Sequence, residues 1–462
     1  MHHRLASVIL KLTLIGFPGS ALAHASEQGF VLLLPTDLYI GAGVAAVALT
    51  VLALVFIPAR WIHAVYRPLP ITRLSARTIR PVTSTLSMLF LWLLIWAGLV
   101  GTSDPLSNPL TLMIWTVFWV GFVTVQGLIG DLWTYLNPWS GPLCIFRKLA
   151  AWRFNRLPVT LGYSLGIAGF LAFAYFLLAD PAPADPRRLA RLVAAYWLFH
   201  MVFALIYGPR WLRRAEGFTV AFRVYTHLAI LGRHKGKLSA GLPGWQIAHH
   251  RRLPIGLAIL TIILLGTGSF DGLNETFWWL GKLGINPLEF PGRSAVVTQN
   301  TLGLLIANAA LIAVFTAMIA LGLKLAQSNI GLTRAVTLFA PSLLPIALGY
   351  HVAHYLTSFL VDGQYALVAL SDPFLTGADW LRLGEFYVST GFFKTQASVR
   401  IIFLTQASAV VLGHVLAVLL AHDIALRQFG STRRATLSQL PLATFMIGYT
   451  FFGLWLLASP RF

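Results

Sequence analysis

Two histidines three positions apart lie inside an apolar segment that is long enough to cross a bilayer. His351 and His354 belong to the run Tyr350-His351-Val352-Ala353-His354-Tyr355. On an α-helix, residues i and i+3 share one face, so this pair can hold one metal ion or two hydrogen-bond partners. An unpaired imidazole is costly to bury in hydrocarbon, and a histidine at membrane depth is therefore a functional-site candidate.

Two more histidines are predicted at a similar depth in the bilayer. His414 and His200 lie in other apolar segments, well away from the segment ends. Three neutral imidazoles plus a water or a carboxylate suit Zn²⁺ or a similar divalent ion, and the open position lowers the pKa of the bound water. His351, His354 and His414 are therefore the candidate metal ligands, and His200 is a further candidate.

Three aspartates could join these histidines on the side that the charge pattern places outside the cell. Asp362 and Asp372 follow the His351 segment, and Asp271 follows the sixth apolar segment. A second interpretation stays open, in which each histidine donates to a carbonyl or hydroxyl group on a neighbouring helix and only stiffens the bundle.

The composition predicts an integral membrane protein. Of 462 residues, 57% are hydrophobic and only 11% are charged, whereas charged residues make up about a quarter of a soluble domain. The formal net charge is +19, but the chain has no polar segment long enough to form a nucleic-acid-binding domain. Nucleic acid is therefore not an expected partner.

The N-terminus is typical of a secretory signal peptide. His2, His3 and Arg4 precede a short apolar run that ends at the small-residue site Ala21-Leu22-Ala23. We expect cleavage after residue 23, and the alternative is an uncleaved first anchor. Residues 24–462 then form a single membrane domain. The chain has one cysteine, Cys144, which excludes an intramolecular disulfide.

Ten apolar runs near or above the ~20 residues of a spanning helix predict an all-α, polytopic membrane helix bundle. They cover approximately Leu38 to Ile57, Thr83 to Val100, Leu110 to Ile129, Thr160 to Leu178, Leu192 to Tyr207, Ile255 to Phe270, Thr301 to Leu325, Val336 to Leu360, Ile401 to Leu420 and Leu440 to Ala458.

Arginine and lysine accumulate in alternate joints between these runs. The basic joints cover residues 60–80, 147–156, 210–252 and 427–434, while most of the acidic residues fall in the other joints. Cytoplasmic loops contain the excess of basic residues, so the mature N-terminus is predicted outside, and the basic joints are expected to attract anionic lipid head groups at the cytoplasmic face. In the longest basic joint, the amphipathic stretch Phe218 to Leu231 is expected to lie on the membrane surface.

Several short motifs resemble a bacterial family of multi-pass membrane proteins named fenitrothion hydrolase, and the similarity extends over nearly the whole mature chain. The motifs are the stretch His24 to Ile57, Gly268-Ser269-Phe270-Asp271-Gly272, Leu348-Gly349-Tyr350-His351-Val352-Ala353-His354-Tyr355, Ser371-Asp372-Pro373-Phe374 and Gly413-His414. The resemblance implies a protein of the bacterial inner membrane that cleaves an organophosphorus triester, such as fenitrothion, to a nitrophenol and a dialkyl (thio)phosphate.

The implied activity can be combined with the histidines. A metal-bound hydroxide held by His351, His354 and His414 would attack phosphorus, with Asp372 as the base or fourth ligand. The substrate would be an apolar small molecule that reaches the bundle from the lipid. Two other classes stay open: a transporter or channel with an intramembrane histidine pathway, and a subunit of a larger membrane complex.

Overall fold

The computed structural model describes residues 31–72, 79–150, 154–249, 252–289 and 292–461. The predicted signal peptide, residues 1–23, lies outside these ranges. In chain order the elements are α1 (Thr36–Phe56), α2 (Ala59–Val65), β1 (Leu69–Thr72), α3 (Arg80–Val100), α4 (Pro109–Leu128, π-helical over Met113–Phe122), α5 (Trp133–Leu136), α6 (Ser140–Ala150), α7 (Ser164–Leu178), α8 (Pro186–Tyr207), α9 (Pro209–Ala215), α10 (Gly217–Thr226), β2 (Leu231–His234), β3 (Lys237–Ala240), α11 (Trp245–His249), α12 (Ile255–Asn274), α13 (Phe277–Lys282), α14 (Val297–Leu325), α15 (Leu332–Phe339), α16 (Leu344–Ser371), α17 (Gln396–Phe429) and α18 (Thr432–Ala458).

The structure is overwhelmingly helical, as the hydropathy pattern predicts. In the part of the chain that is described, nine helical runs are long and apolar enough to cross a membrane, and α7 is a shorter apolar helix of 15 residues. All ten predicted segments therefore coincide with helices. Leucine, isoleucine and phenylalanine side chains lie exposed on outward faces of α1, α3, α8 and α14, and this arrangement is compatible with a multi-pass membrane protein.

A small antiparallel sheet, which the sequence pattern does not predict, joins two of the basic joints. Its strand order is β1-β3-β2, and the β2–β3 hairpin turns at Lys235 and Gly236, which both have positive φ angles. Such φ angles at both central residues are the requirement of a type I′ hairpin turn.

The amphipathic stretch that precedes the hairpin is packed into the protein. Val220, Ala221 and Phe222 of α10 are buried, and α10 packs on α7, α4 and α12. The expectation that residues 218–231 lie on the membrane surface is therefore wrong, because the apolar face of α10 is covered by other helices.

Helix α16 runs through the middle of the bundle. It packs against α17, α12 and the π-helical part of α4. Pro341 and Pro345 interrupt the run from Leu332 to Ser371, so that α15 ends in a 3₁₀ turn and α16 begins with a proline in its first turn. Proline is tolerated at this position because the first-turn N–H groups have no intrahelical acceptor.

Two glycines allow α16 and α17 to approach closely. A Cβ added to Gly413 would lie 2.6 Å from the Pro345 carbonyl oxygen, and one added to Gly349 would lie closer still to the Ala409 carbonyl oxygen. The obstructing atoms belong to the backbone and cannot rotate away. This contact fixes which faces of the two helices point elsewhere in the bundle.

We predict that Gly413→Ala destabilises the protein by about 1–3 kcal/mol, the usual cost of overpacking. The matched variant is Gly448→Ala in α18, where an added Cβ meets no atom within 4 Å; it should be neutral or slightly stabilising because alanine favours helix. Thermal unfolding in detergent measures both. Equal melting temperatures for the two variants would contradict this account of the α16–α17 contact.

Candidate functional site

Helices α12 and α16 bring an aspartate and a histidine together in the interior of the bundle. His354 Nε2 lies 3.4 Å from Asp271 Oδ2, and both side chains are 7% exposed. The Tyr355 hydroxyl donates to the same carboxylate oxygen. A buried carboxylate is tolerated only where such partners compensate for the lost water.

The segment after α18 supplies a cation to the same histidine. Arg461 Nη1 lies 3.1 Å from His354 Nδ1, and Arg461 Nη2 donates to the Leu456 carbonyl at 3.0 Å. A β-bridge between Thr276 and Arg461 anchors this segment beside the end of α12. We call Asp271, His354, Tyr355 and Arg461 the acid–base centre.

The partners of His354 define its tautomer. Arginine can only donate, so Nδ1 of His354 is the acceptor in this arrangement, and Nε2 carries the hydrogen that faces Asp271. In this tautomer His354 connects the buried carboxylate of Asp271 to the guanidinium group of Arg461. This pattern matches a general base that is oriented by a carboxylate, except that Arg461 covers the basic nitrogen.

His351 faces a different neighbour. Its ring meets the Trp119 ring edge-on at a centroid distance of 5.2 Å, and it lies 5.0 Å from the Tyr355 ring. The side chain is buried, and Nε2 has no hydrogen-bond partner among the described residues. His351 therefore borders the acid–base centre through Tyr355, but the described contacts show no shared ligand position with His354.

His414 points toward a third set of neighbours. Its Nδ1 donates to the Val410 carbonyl at 2.9 Å, and its ring lies 6.3 Å from the ring of Tyr449, whose hydroxyl is 2.5 Å from Ser269 Oγ. Within the described chain, Nε2 of His414 has no hydrogen-bond partner. The Val410 carbonyl belongs to the same helix as His414, so this hydrogen bond is not the donation to a neighbouring helix that the sequence leaves open.

The three candidate ligands are thus divided among different neighbours. Among the residues that the structure describes, no group of three or more His, Cys, Asp or Glu side chains is placed to hold a metal ion. The donor set of His351, His354 and His414 does not fit a common divalent ion such as Zn²⁺ in this arrangement. A metal role for these residues stays a prediction without a supporting contact.

Asp372 lies at the far end of α16 from the histidines. It directly follows Ser371, the last residue of the helix, and roughly five helical turns separate it from His354. Its carboxylate accepts from the backbone N–H groups of Thr376 at 2.9 Å and Gly377 at 2.6 Å. The Thr376 hydrogen bond is the main reason that the pKa of Asp372 lies below its ordinary value. Asp372 caps a loop, and the structure does not bring it to the acid–base centre.

Asp362 also lies away from the centre along α16. It belongs to the same continuous helix as His354, and roughly two helical turns separate the two residues. The structure shows a contact between a candidate aspartate and a candidate histidine at Asp271, which lies beside His354.

His200 lines a separate cavity of about 790 Å³ between α3, α4, α7 and α8. We call it the aromatic cavity, because many of its walls are rings, among them Trp115, Phe118, Trp139 and Phe173. The Trp211 Nε1–H donates to His200 Nδ1 at 3.0 Å. Nε2 of His200 therefore carries a hydrogen and can donate to a ligand.

Trp119 separates the aromatic cavity from the acid–base centre. Its ring is 4.7 Å from that of Phe173, which lines the cavity, and 6.4 Å from that of Tyr355, which belongs to the centre. Trp119 lies in the π-helical part of α4. π-Helical backbone is rare in proteins and is found frequently at functional sites.

Tyr355, Trp119 and Arg461 are site residues that the sequence pattern does not single out. Tyr355 adjoins His354, and its position beside the pair is a signal that could have marked it. Arg461 follows the last apolar run closely and belongs to no recognisable motif. The segment after α18, which pairs with Thr276, brings Arg461 to His354, and no local sequence pattern predicts that contact.

No family model, no curated protein and no solved structure matches the chain.

We predict that Asp271→Ala destabilises the protein by about 3 kcal/mol, the low end for breaking a buried pair. The variant removes the buried negative charge that faces His354, on whose other ring nitrogen the half-buried Arg461 lies. Arg461→Ala should also destabilise the protein, and the double variant should lose less than the sum of the two. Unfolding in mixed micelles measures this coupling.

The control for this pair is Asp104→Ala in an exposed loop, with an expected cost below about 1 kcal/mol. Additive losses for Asp271→Ala and Arg461→Ala would refute the coupling.

Proposed function

We propose that the protein is a membrane-embedded hydrolase that cleaves an apolar organophosphorus triester, such as fenitrothion, to a nitrophenol and a dialkyl (thio)phosphate. The observation that carries this proposal is the position of the aromatic cavity beside a buried His–Asp pair, with the Trp119 ring between them. The resemblance of the sequence motifs to fenitrothion hydrolase supports the same class of substrate.

The aromatic cavity suits such a substrate. Its volume of about 790 Å³ falls within the ~300–1,000 Å³ of small-molecule sites. An uncharged aryl triester dissolves in lipid and would reach the cavity from the side of the bundle. Stacked rings would hold the aryl group, and His200 Nε2–H would donate to a phosphoryl, thiophosphoryl or nitro acceptor.

In the proposed reaction a water molecule is the nucleophile. His354 Nδ1 takes a proton as the water oxygen forms its bond to phosphorus, and the phosphorus–aryl oxygen bond breaks with its electron pair leaving on the nitrophenolate. Asp271 stabilises the imidazolium that forms. Arg461, after leaving Nδ1, stabilises the negative charge that develops on the phosphoryl oxygen or sulfur.

This reaction requires two local movements. Arg461 must release His354 Nδ1, and the Trp119 ring must turn aside so that phosphorus in the aromatic cavity meets the water. Arg461 lies in the segment after α18, and its guanidinium group is held by the Leu456 carbonyl and His354. No step is assigned to a metal ion, because the candidate ligands do not converge.

We further propose that the chain lies in the bacterial inner membrane with its mature N-terminus outside, after removal of residues 1–23. The basic joints, including the β2–β3 hairpin with Arg233, Lys235 and Lys237, would face the cytoplasm and contact anionic lipid head groups. The acid–base centre would then lie toward the outer half of the bilayer.

We predict that the purified protein hydrolyses a nitrophenyl phosphotriester and that His354→Gln lowers kcat by about 10²–10⁴-fold, the usual contribution of a general base. Asp271→Asn should lower kcat as well, since it removes the charge that stabilises the imidazolium. His200→Phe should chiefly raise KM. Nitrophenolate release in detergent is the measurement, and a chelator should leave it unchanged.

His414→Gln serves as the matched control, because His414 is a buried imidazole outside the acid–base centre; it should retain activity. Sensitivity to the chelator together with loss of activity in His351→Gln and His414→Gln would instead favour the metal mechanism. A folded protein that hydrolyses no triester, yet carries protons into liposomes in a His354-dependent way, would favour a transporter.

We predict an orientation that cysteine labelling can test. In a Cys144→Ser protein, Ser103→Cys reports the loop between α3 and α4, and Lys237→Cys reports the hairpin; both side chains are exposed. A membrane-impermeant maleimide should label position 103 in spheroplasts and position 237 in inverted vesicles. The reverse pattern would contradict the proposed topology.

A further inference from the structure

Four arginines converge on one pocket at the end of α7. The pocket has a volume of about 290 Å³ and is lined by Tyr163, Arg210, Arg213, Arg214 and Arg223. Three of the arginines belong to α9, at positions i, i+3 and i+4, which share one helix face. The fourth comes from α10. Side chains of like charge that line one pocket repel one another, and an anion bound between them would offset this repulsion.

The described part of the chain does not supply that anion. Among the described residues, none of the four arginines forms an ion pair with a carboxylate. Arg223 Nη1 instead donates to the Tyr163 hydroxyl at 3.4 Å, a neutral acceptor. The pocket therefore gathers positive charges that no described carboxylate neutralises.

The carboxylate closest to these arginines in sequence has other partners. Glu216 lies between α9 and α10, is fully buried, and accepts from the backbone N–H groups of Phe218 at 2.8 Å and Thr219 at 2.6 Å and from the Tyr196 hydroxyl. Burial raises the pKa of Glu216 above its ordinary value. Its bonds are used to cap α10, so it does not neutralise the pocket.

Close packing holds the arginines in this arrangement. A Cβ added to Gly166 of α7 would lie 2.9 Å from the Arg214 carbonyl oxygen and 2.8 Å from Val220 Cγ2. The corner between α9 and α10 therefore rests directly on the backbone of α7. The guanidinium groups project from a fixed corner and not from a loop.

Apolar surface adjoins the charged pocket. Val159 is 81% exposed, Leu165 is 38% exposed, and Ile255 is 45% exposed. Tyr163 connects the two regions, because it lines the pocket and packs against Gly256, next to Ile255. Positive charge beside an apolar helix surface is the complement of an amphiphile with an anionic head group.

We propose that this pocket binds the phosphodiester head group of an anionic phospholipid, whose acyl chains lie along the exposed surface of α7 and α12. Arginine suits phosphate because its planar fork donates two parallel hydrogen bonds to phosphate oxygens. Free phosphate shares the head-group chemistry but would not use the apolar surface. This site is independent of the acid–base centre.

The test measures the Kd of fluorescent phosphatidylglycerol for the purified full-length protein in detergent. We expect the triple variant Arg210→Gln/Arg213→Gln/Arg223→Gln to weaken binding by about a hundredfold, given roughly fivefold for each basic residue. The matched control removes three exposed basic residues that lie outside the basic joints, Arg382→Gln/Lys394→Gln/Arg400→Gln, and should change the Kd less than about threefold.

Three further arms keep the result decisive. The triple variant Arg210→Lys/Arg213→Lys/Arg223→Lys preserves the charge and should bind with intermediate affinity, which also guards against misfolding of the glutamine variant. Fluorescent phosphatidylcholine should bind weakly to every variant. Equal weakening by the pocket triple and the control triple would overturn the site, and full competition by millimolar inorganic phosphate would overturn its assignment to lipid.

Discussion

The arrangement of the bundle interior depends on one compensated charge. Asp271 is buried in the last turn of α12, and a buried carboxylate is tolerated only with partners that offset its desolvation. His354, Tyr355 and Arg461 provide them, from the middle of α16 and from the segment after α18. Three distant stretches of sequence are thereby fixed against one another. The close glycine contact between α16 and α17 then determines which remaining faces of α16 can meet α12 and α4.

The π-helical part of α4 explains why two different environments lie on either side of one short segment. Hydrogen bonds from i to i+5 change the angular spacing of successive side chains relative to an α-helix. Trp115 and Phe118 face the aromatic cavity, while Trp119 contacts His351 and also reaches Phe173 at the cavity wall. A single ring thus forms the boundary between an apolar ligand space and an acid–base pair, and this boundary makes a gated reaction physically reasonable.

Hydropathy locates the ten helical segments, because burial in lipid requires long apolar runs whatever the details of packing. The helical rise per residue also gives the depth of each histidine in the membrane. The depth does not tell which neighbouring helix the side chain faces. His351 and His414 have similar predicted depths, yet one faces Trp119 and the other faces Tyr449, since each direction is decided by helix contacts distant in sequence. The small sheet and the role of Arg461 depend on the same long-range contacts. Asp372 shares with the histidines only a predicted side of the membrane, which is too coarse a criterion to place it beside them.

The acid–base centre and the arginine pocket both contain charges that need a partner of opposite sign, and the two sites differ in where that partner comes from. At the centre, a buried anion finds its cation within the chain, so the charge is balanced and the helices are joined. In the pocket, four cations share a fixed corner while the carboxylate closest in sequence, Glu216, is occupied in capping α10. An external anion would then provide the balance that the described carboxylates do not. A chain with a net charge of +19 has many basic residues that only report topology; what distinguishes these four is that they line one pocket on a closely packed corner.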